Sequence, residues 1–117
     1  MTLVFTCIAP HGSEIIPQLA GDKLKAFGKT RQGMLKMAQI MKEQKVNTII
    51  IATPHNLRLR ESIGIVTTEF TEGSLETEEG SVKVRFQCNR PLAEDIYTKA
   101  RKRGLPVVAV NYGTSEG

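Results

Sequence analysis

The sequence predicts an α/β fold: a mostly parallel sheet with flanking helices and an inserted antiparallel hairpin, in the order βαβ, ββ, αβ. Three observations predict it. Two aliphatic runs, residues 3–9 and 47–52, are each followed closely by a proline, and a stretch of helical apolar spacing separates them. A period-two alternation of apolar and polar residues occupies the middle of the chain. Residues 89–110 then carry a capped helical pattern and a third aliphatic run.

Each element follows from its own pattern. Leu3-Val4-Phe5-Thr6-Cys7-Ile8-Ala9 is apolar on both faces, as a strand covered from both sides must be, and Pro10 ends it. A helix is expected over residues 30–44, with Met34, Leu35, Ala38 and Met41 as its apolar stripe and Thr30 as its N-cap. Asn47-Thr48-Ile49-Ile50-Ile51-Ala52 reads as a second buried strand. Strand, helix, strand in that order makes the two strands parallel.

The middle of the chain differs. Residues 63–69 and 81–88 alternate, with Val82, Val84, Phe86 and Cys88 on one face and Lys83, Arg85 and Gln87 on the other. The polar, acidic residues 71–80 are expected to form the loop of this hairpin. The last helix is signposted by Asn89 as cap, Pro91 in the first turn, four basic residues between Lys99 and Arg103, and Gly104 as its stop. Leu92, Ile96 and Ala100 form its expected buried stripe, residues 105–110 a third buried strand, and residues 111–117 a closing loop.

Composition narrows the function classes. At 117 residues, 40% of them hydrophobic and 24% charged, the chain is expected to be one α/β domain, residues 1–117, with a core that needs no disulfide staples. No apolar run approaches the roughly 20 residues of a membrane helix, and no leader pattern is present, so a cytoplasmic protein without membrane contact is expected. Cys7 and Cys88 lack metal-ligand spacing and read as buried, reduced thiols. The formal charge of +4 gathers in residues 23–45 and 99–103 without interleaved aromatics. That pattern describes solvated helix faces better than a nucleic-acid footprint.

The chemistry-bearing residues are the only two histidines. Ala9-Pro10-His11-Gly12 follows the first aliphatic run and Thr53-Pro54-His55-Asn56 the second. Ligands of open parallel sheets bind beyond the carboxyl ends of the strands, so both imidazoles are expected at one rim, within reach of a shared ion. Spacing alone does not name the metal, because the donors come from separate loops.

Cys7-Ile8-Ala9-Pro10-His11-Gly12-Ser13-Glu14-Ile15-Ile16-Pro17 resembles the N-terminus of the catalytic B subunit of class III extradiol ring-cleavage dioxygenases. Ile49-Ile50-Ile51-Ala52-Thr53-Pro54-His55 resembles the second histidine segment of that family. The resemblance implies a non-haem Fe(II) enzyme that opens small aromatic diols with O2. It makes His11 and His55 two of the three iron ligands, with Zn(II) as a possible substitute for iron. In the family a glutamate ligand and an acid–base histidine lie in the C-terminal half of a chain about twice this length. The present 117 residues are therefore expected to be the N-terminal part of such a domain, inactive alone, with no catalytic acid–base residue assigned in them and with a tendency to homo-oligomerise. Glu14 is a minor alternative as the carboxylate. Arg58 and Arg60 read as solvated charges or as attractors of an anionic substrate, and Tyr112 and Ser115 as possible site-lining residues. The competing reading is a non-catalytic relative of the same fold that binds a metal or a small molecule.

Overall fold

The computed structural model describes residues 2–55 and 58–111. The expected loop at residues 112–117, with Tyr112 and Ser115, lies outside the described residues, as does Asn56. The chain divides into two compact units, Met1–Ile49 with Gly73–Val84 and Ile50–Glu72 with Arg85–Gly117. Helices, a parallel strand pair and a hairpin make it an α/β chain.

In the first unit, two short 3-10 turns, Ser13–Ile15 and Gly21–Lys23, lead into helix α1, Gly28–Glu43. The helix starts two residues before the expected Thr30, and its N-cap, Phe27, offers no side-chain cap. Met34, Met37, Ile40 and Met41 are its half-buried stripe, at a 3–4 spacing. Leu35, expected on that stripe, points outward and is 66% exposed. Among the described residues, the buried apolar ones of the unit are Leu19, 3% exposed, and Ala20. The tip of a hairpin lies against this turn, since a side chain added at Gly21 would stand 2.8 Å from Glu79 Oε1.

That hairpin is formed by β2, Phe70–Thr77, and β3, Gly80–Gln87. The two-residue connection between them makes it antiparallel. Residues 71–80, expected as a loop, are instead mostly strand β2. Residues 72–76 of this strand are exposed and mostly polar, and a solvated hairpin reads like a loop.

The second unit holds β1, Ile63–Val66, and β4, Val107–Val110, paired in parallel with Ile63 opposite Val107 and Val66 opposite Val110. Helix α2, Arg90–Lys102, packs on both strands and completes a β-α-β unit. Its signals are met. Asn89 Oδ1 accepts from the Leu92 N–H at 3.2 Å, Pro91 stands in the first turn, and the Gly104 N–H donates to the Arg101 carbonyl at 2.9 Å. Leu92, Ile96 and Ala100 are half-buried rather than buried.

Two expectations change. Residues 3–9 and 47–52 form no β-strand among the described residues, so the parallel pair is β1 with β4 and not the two runs that precede the histidines. A parallel strand needs cover on both faces, yet Leu3 is 77%, Ile8 98% and Ile51 76% exposed. Cys7 shares this exposure and is not the buried thiol expected, while Cys88 is half-buried; both are free. No helix among the described residues is long and apolar enough to cross a membrane.

Candidate metal-ligand loops

His11 belongs to the first unit and His55 to the second, and both are exposed. Each sits in a loop with its own local support.

The His11 loop turns at Gly12, whose φ of 118° and ψ of 157° fall in a region that only glycine occupies without strain. A Cβ at this position would lie 2.5 Å from Glu14 Oε2, so the Glu14 carboxylate folds back over the glycine. Its other oxygen faces the Lys23 ammonium at 3.8 Å. This contact gives Glu14 a role within the loop, holding the turn after His11.

The loop is also held from α1. The Arg31 guanidinium donates to three backbone carbonyls: Nη2 to Glu14 at 3.1 Å, Nε to Ile15 at 3.3 Å and Nη1 to Leu24 at 3.1 Å. The backbone N–H of Ile16 donates to Ser13 at 3.1 Å, and that of Leu19 to Ile16 at 2.9 Å. Residues 12–24 are thus tied at several points around the position that follows His11.

The His55 loop is simpler. The Thr53 hydroxyl accepts the His55 backbone N–H at 3.2 Å, closing a short turn across Pro54. Proline fixes φ at the middle residue, so the threonine and proline together set the direction in which the chain presents His55. Arg58 and Arg60, beyond it, are exposed.

At the carboxyl edge of the parallel pair, Thr67 and Thr68 are buried polar residues. Arg90 Nε donates to the Thr67 carbonyl at 3.0 Å and ties the start of α2 to the end of β1. Sequence reasoning missed both arginine anchors. Arg31 had one visible signal: a cation in the first turn of a helix opposes the helix dipole and calls for a local reason. At the basic end of α2, Lys99 pairs with Asp95 at 2.9 Å, and Arg101 Nη1 donates to the Tyr97 hydroxyl at 2.8 Å.

Two neutral imidazoles suit a borderline ion such as Fe(II) or Zn(II). Among the described residues no group of three or more His, Cys, Asp or Glu side chains is arranged to hold a metal ion. Each histidine can offer one neutral ring nitrogen to such an ion.

The family model described as the catalytic LigB subunit of aromatic ring-opening dioxygenase matches residues 5–116, which include both Pro-His segments. Protein CA_C1420 of Clostridium acetobutylicum is 26% identical over 106 residues, an alignment that takes 89% of this chain and 23% of that protein. The chain thus spans about a quarter of the length of this curated relative. No solved structure matches the chain.

Proposed function

We propose that this chain, which belongs to the family of the catalytic LigB subunit of aromatic ring-opening dioxygenase, supplies His11 and His55 as two ligands of a ferrous site that opens small aromatic diols with O2. The observation that carries the reading is the family match itself, which runs through both Pro-His segments. Ferrous iron in such a site supplies one centre on which a diol and O2 meet. Zn(II) would occupy the same donors.

The chain's own residues do the holding. Each imidazole binds through one neutral ring nitrogen, and a hydrogen bond at the other nitrogen fixes which one is offered. Gly12 and the Glu14–Lys23 pair set the backbone from which His11 projects, as Thr53 does for His55. On this reading the carboxylate ligand and the residue that moves protons come from sequence beyond these 117 residues. The 117 residues alone then bind Fe(II) or Zn(II) weakly and turn over no catechol.

Anaerobic loading with Fe(II), followed by oxygen uptake over a panel of catechols, tests the division. Rapid ring opening by the mass-verified 117-residue chain would overturn it. Calorimetric Zn(II) titration of His11→Ala and His55→Ala tests the ligands, each of which should weaken uptake. Unchanged uptake by both variants would remove the ligand assignment. Histidine-dependent uptake without any ring opening by a version extended to the relative's length would favour a non-catalytic metal-binding relative.

A further inference from the structure

We propose that Arg31 is the positioning residue of the His11 loop: its guanidinium gathers the carbonyl ends of the two short turns after His11 and so fixes where that imidazole stands. The consequence for metal binding rests on the reading of His11 as a ligand; the ordering of the loop does not.

The placement of Arg31 is the first clue. It sits in the first turn of α1, at the positive end of the helix dipole, with no acidic residue in that turn to favour it. A cation there is electrostatically misplaced with respect to its own helix. Its partners lie elsewhere.

Those partners form the second clue. Short 3-10 turns leave their last carbonyls without intrahelical donors. Glu14 and Ile15 belong to the turn Ser13–Ile15, and Leu24 caps the turn Gly21–Lys23. Arg31 meets the carbonyls of all three, one with each guanidinium nitrogen. The negative ends of both turns converge on one positive group, which is a favourable arrangement for every dipole involved.

The shape of the side chain supplies the third. A guanidinium is a rigid planar fork with donors pointing in several fixed directions, whereas an ammonium is a point charge on a mobile stem. Three carbonyls from two turns require the fork. On the other side of the loop, Glu14 is folded over Gly12 and faces Lys23. Residues 14 and 15 are therefore held by Arg31 through the backbone, within four residues of His11, and the Glu14 carboxylate faces Lys23.

The test uses the whole 117-residue chain and first needs no metal. Arg31→Met removes every donor while keeping an unbranched stem and helix propensity. Arg31→Lys keeps the charge and loses the fork. In Arg31→Met, the amide protons of Ile16 and Leu19 should exchange about tenfold faster, the equivalent of one charge-assisted hydrogen bond. The His11 ring resonances should shift, and those of His55, in the other unit, should not. Arg31→Lys should fail to restore the native His11 signals. Co(II), used as a spectroscopic probe, should then bind His11 several-fold more weakly in both variants.

Two results overturn the proposal: loop exchange and His11 ring signals in Arg31→Met identical to the parent's, or full rescue by Arg31→Lys, which would make charge rather than the fork responsible. If Arg31→Met does not fold, Arg31→Lys carries the same measurements. A His11→Ala variant with unchanged Co(II) uptake would sink the ligand reading, while the metal-free exchange and ring signals would still decide the role of Arg31.

Discussion

The backbone N–H of Thr67 donates to the Val110 carbonyl at 2.8 Å, and the Thr67 hydroxyl lies 3.4 Å from the same oxygen. Thr67 thereby carries the β1–β4 ladder one residue past Val66, the last paired residue of β1. Its own carbonyl accepts from Arg90, so one residue joins both strands to the start of α2.

Thr67→Val should keep the strand preference and lose only the long hydroxyl contact, at a cost of about 0.5–1 kcal/mol. Arg90→Met removes a charged donor at 3.0 Å and should cost more, about 1–2 kcal/mol after allowing for its partial exposure. Urea unfolding of the two variants checks the ranking. A larger loss for Thr67→Val would show that the tie between β1 and α2 is not the stronger of the two.

Gly12→Ala places a Cβ where the backbone angles disfavour one and where Glu14 Oε2 already stands. The local strain amounts to about 1–3 kcal/mol. The expected outcome is a rearranged His11 loop, visible as shifted amide signals over residues 11–16, together with weaker Zn(II) uptake. Gly33, with nothing within 4 Å of its added Cβ and no positive φ, is the control. Gly33→Ala in mid-helix should stabilise α1 by up to about 1 kcal/mol.

Asn89→Ala should cost about 1 kcal/mol, because the Leu92 N–H loses the side chain that caps it. Asn89→Asp keeps the acceptor and adds a negative charge at the positive end of the dipole, so it should be neutral or stabilising. Thermal midpoints at low and high salt separate the two contributions, since only the dipole term fades with added salt.

Where the sequence was legible, the signal was local. Asn89, Pro91 and Gly104 bracket α2 within one stretch of chain, and the structure follows them. Alternation over residues 63–69 marked a strand of which only Ile63–Val66 forms, and it could not name the partner, since that strand pairs with Val107–Val110 rather than within a hairpin. Period-two spacing records which face is covered, and parallel pairing is decided by residues more than forty positions away. The apolar runs before His11 and His55 mislead for a related reason, because hydrophobicity says which residues need cover and not what supplies it. The family resemblance of the two Pro-His segments was legible because each lies in contiguous residues, and the family match runs through both. Arg31 was not, because the value of a guanidinium depends on three carbonyls contributed by two other turns.

The exposed aliphatic residues give the last prediction. Leu3, Val4 and Ile8 in the first unit, and Ile50, Ile51, Ile63, Leu105 and Val108 in the second, are all exposed. Single exposed aliphatics are ordinary, but consecutive ones in runs with strand-like composition are not. Water contact with such side chains costs about 25 cal/mol per Å², and association removes it. The parallel pair adds a second drive: among the described residues it is a two-stranded sheet, whose edges offer backbone donors and acceptors to another strand. The 117-residue chain should therefore self-associate as its concentration rises, and Ile8→Lys or Ile51→Lys should weaken that association by placing a charge in the buried contact. Sedimentation velocity over a concentration series reads this directly. A chain that stays monomeric at high concentration, with the lysine variants indistinguishable from it, would mean that these runs are covered in solution from within the same molecule.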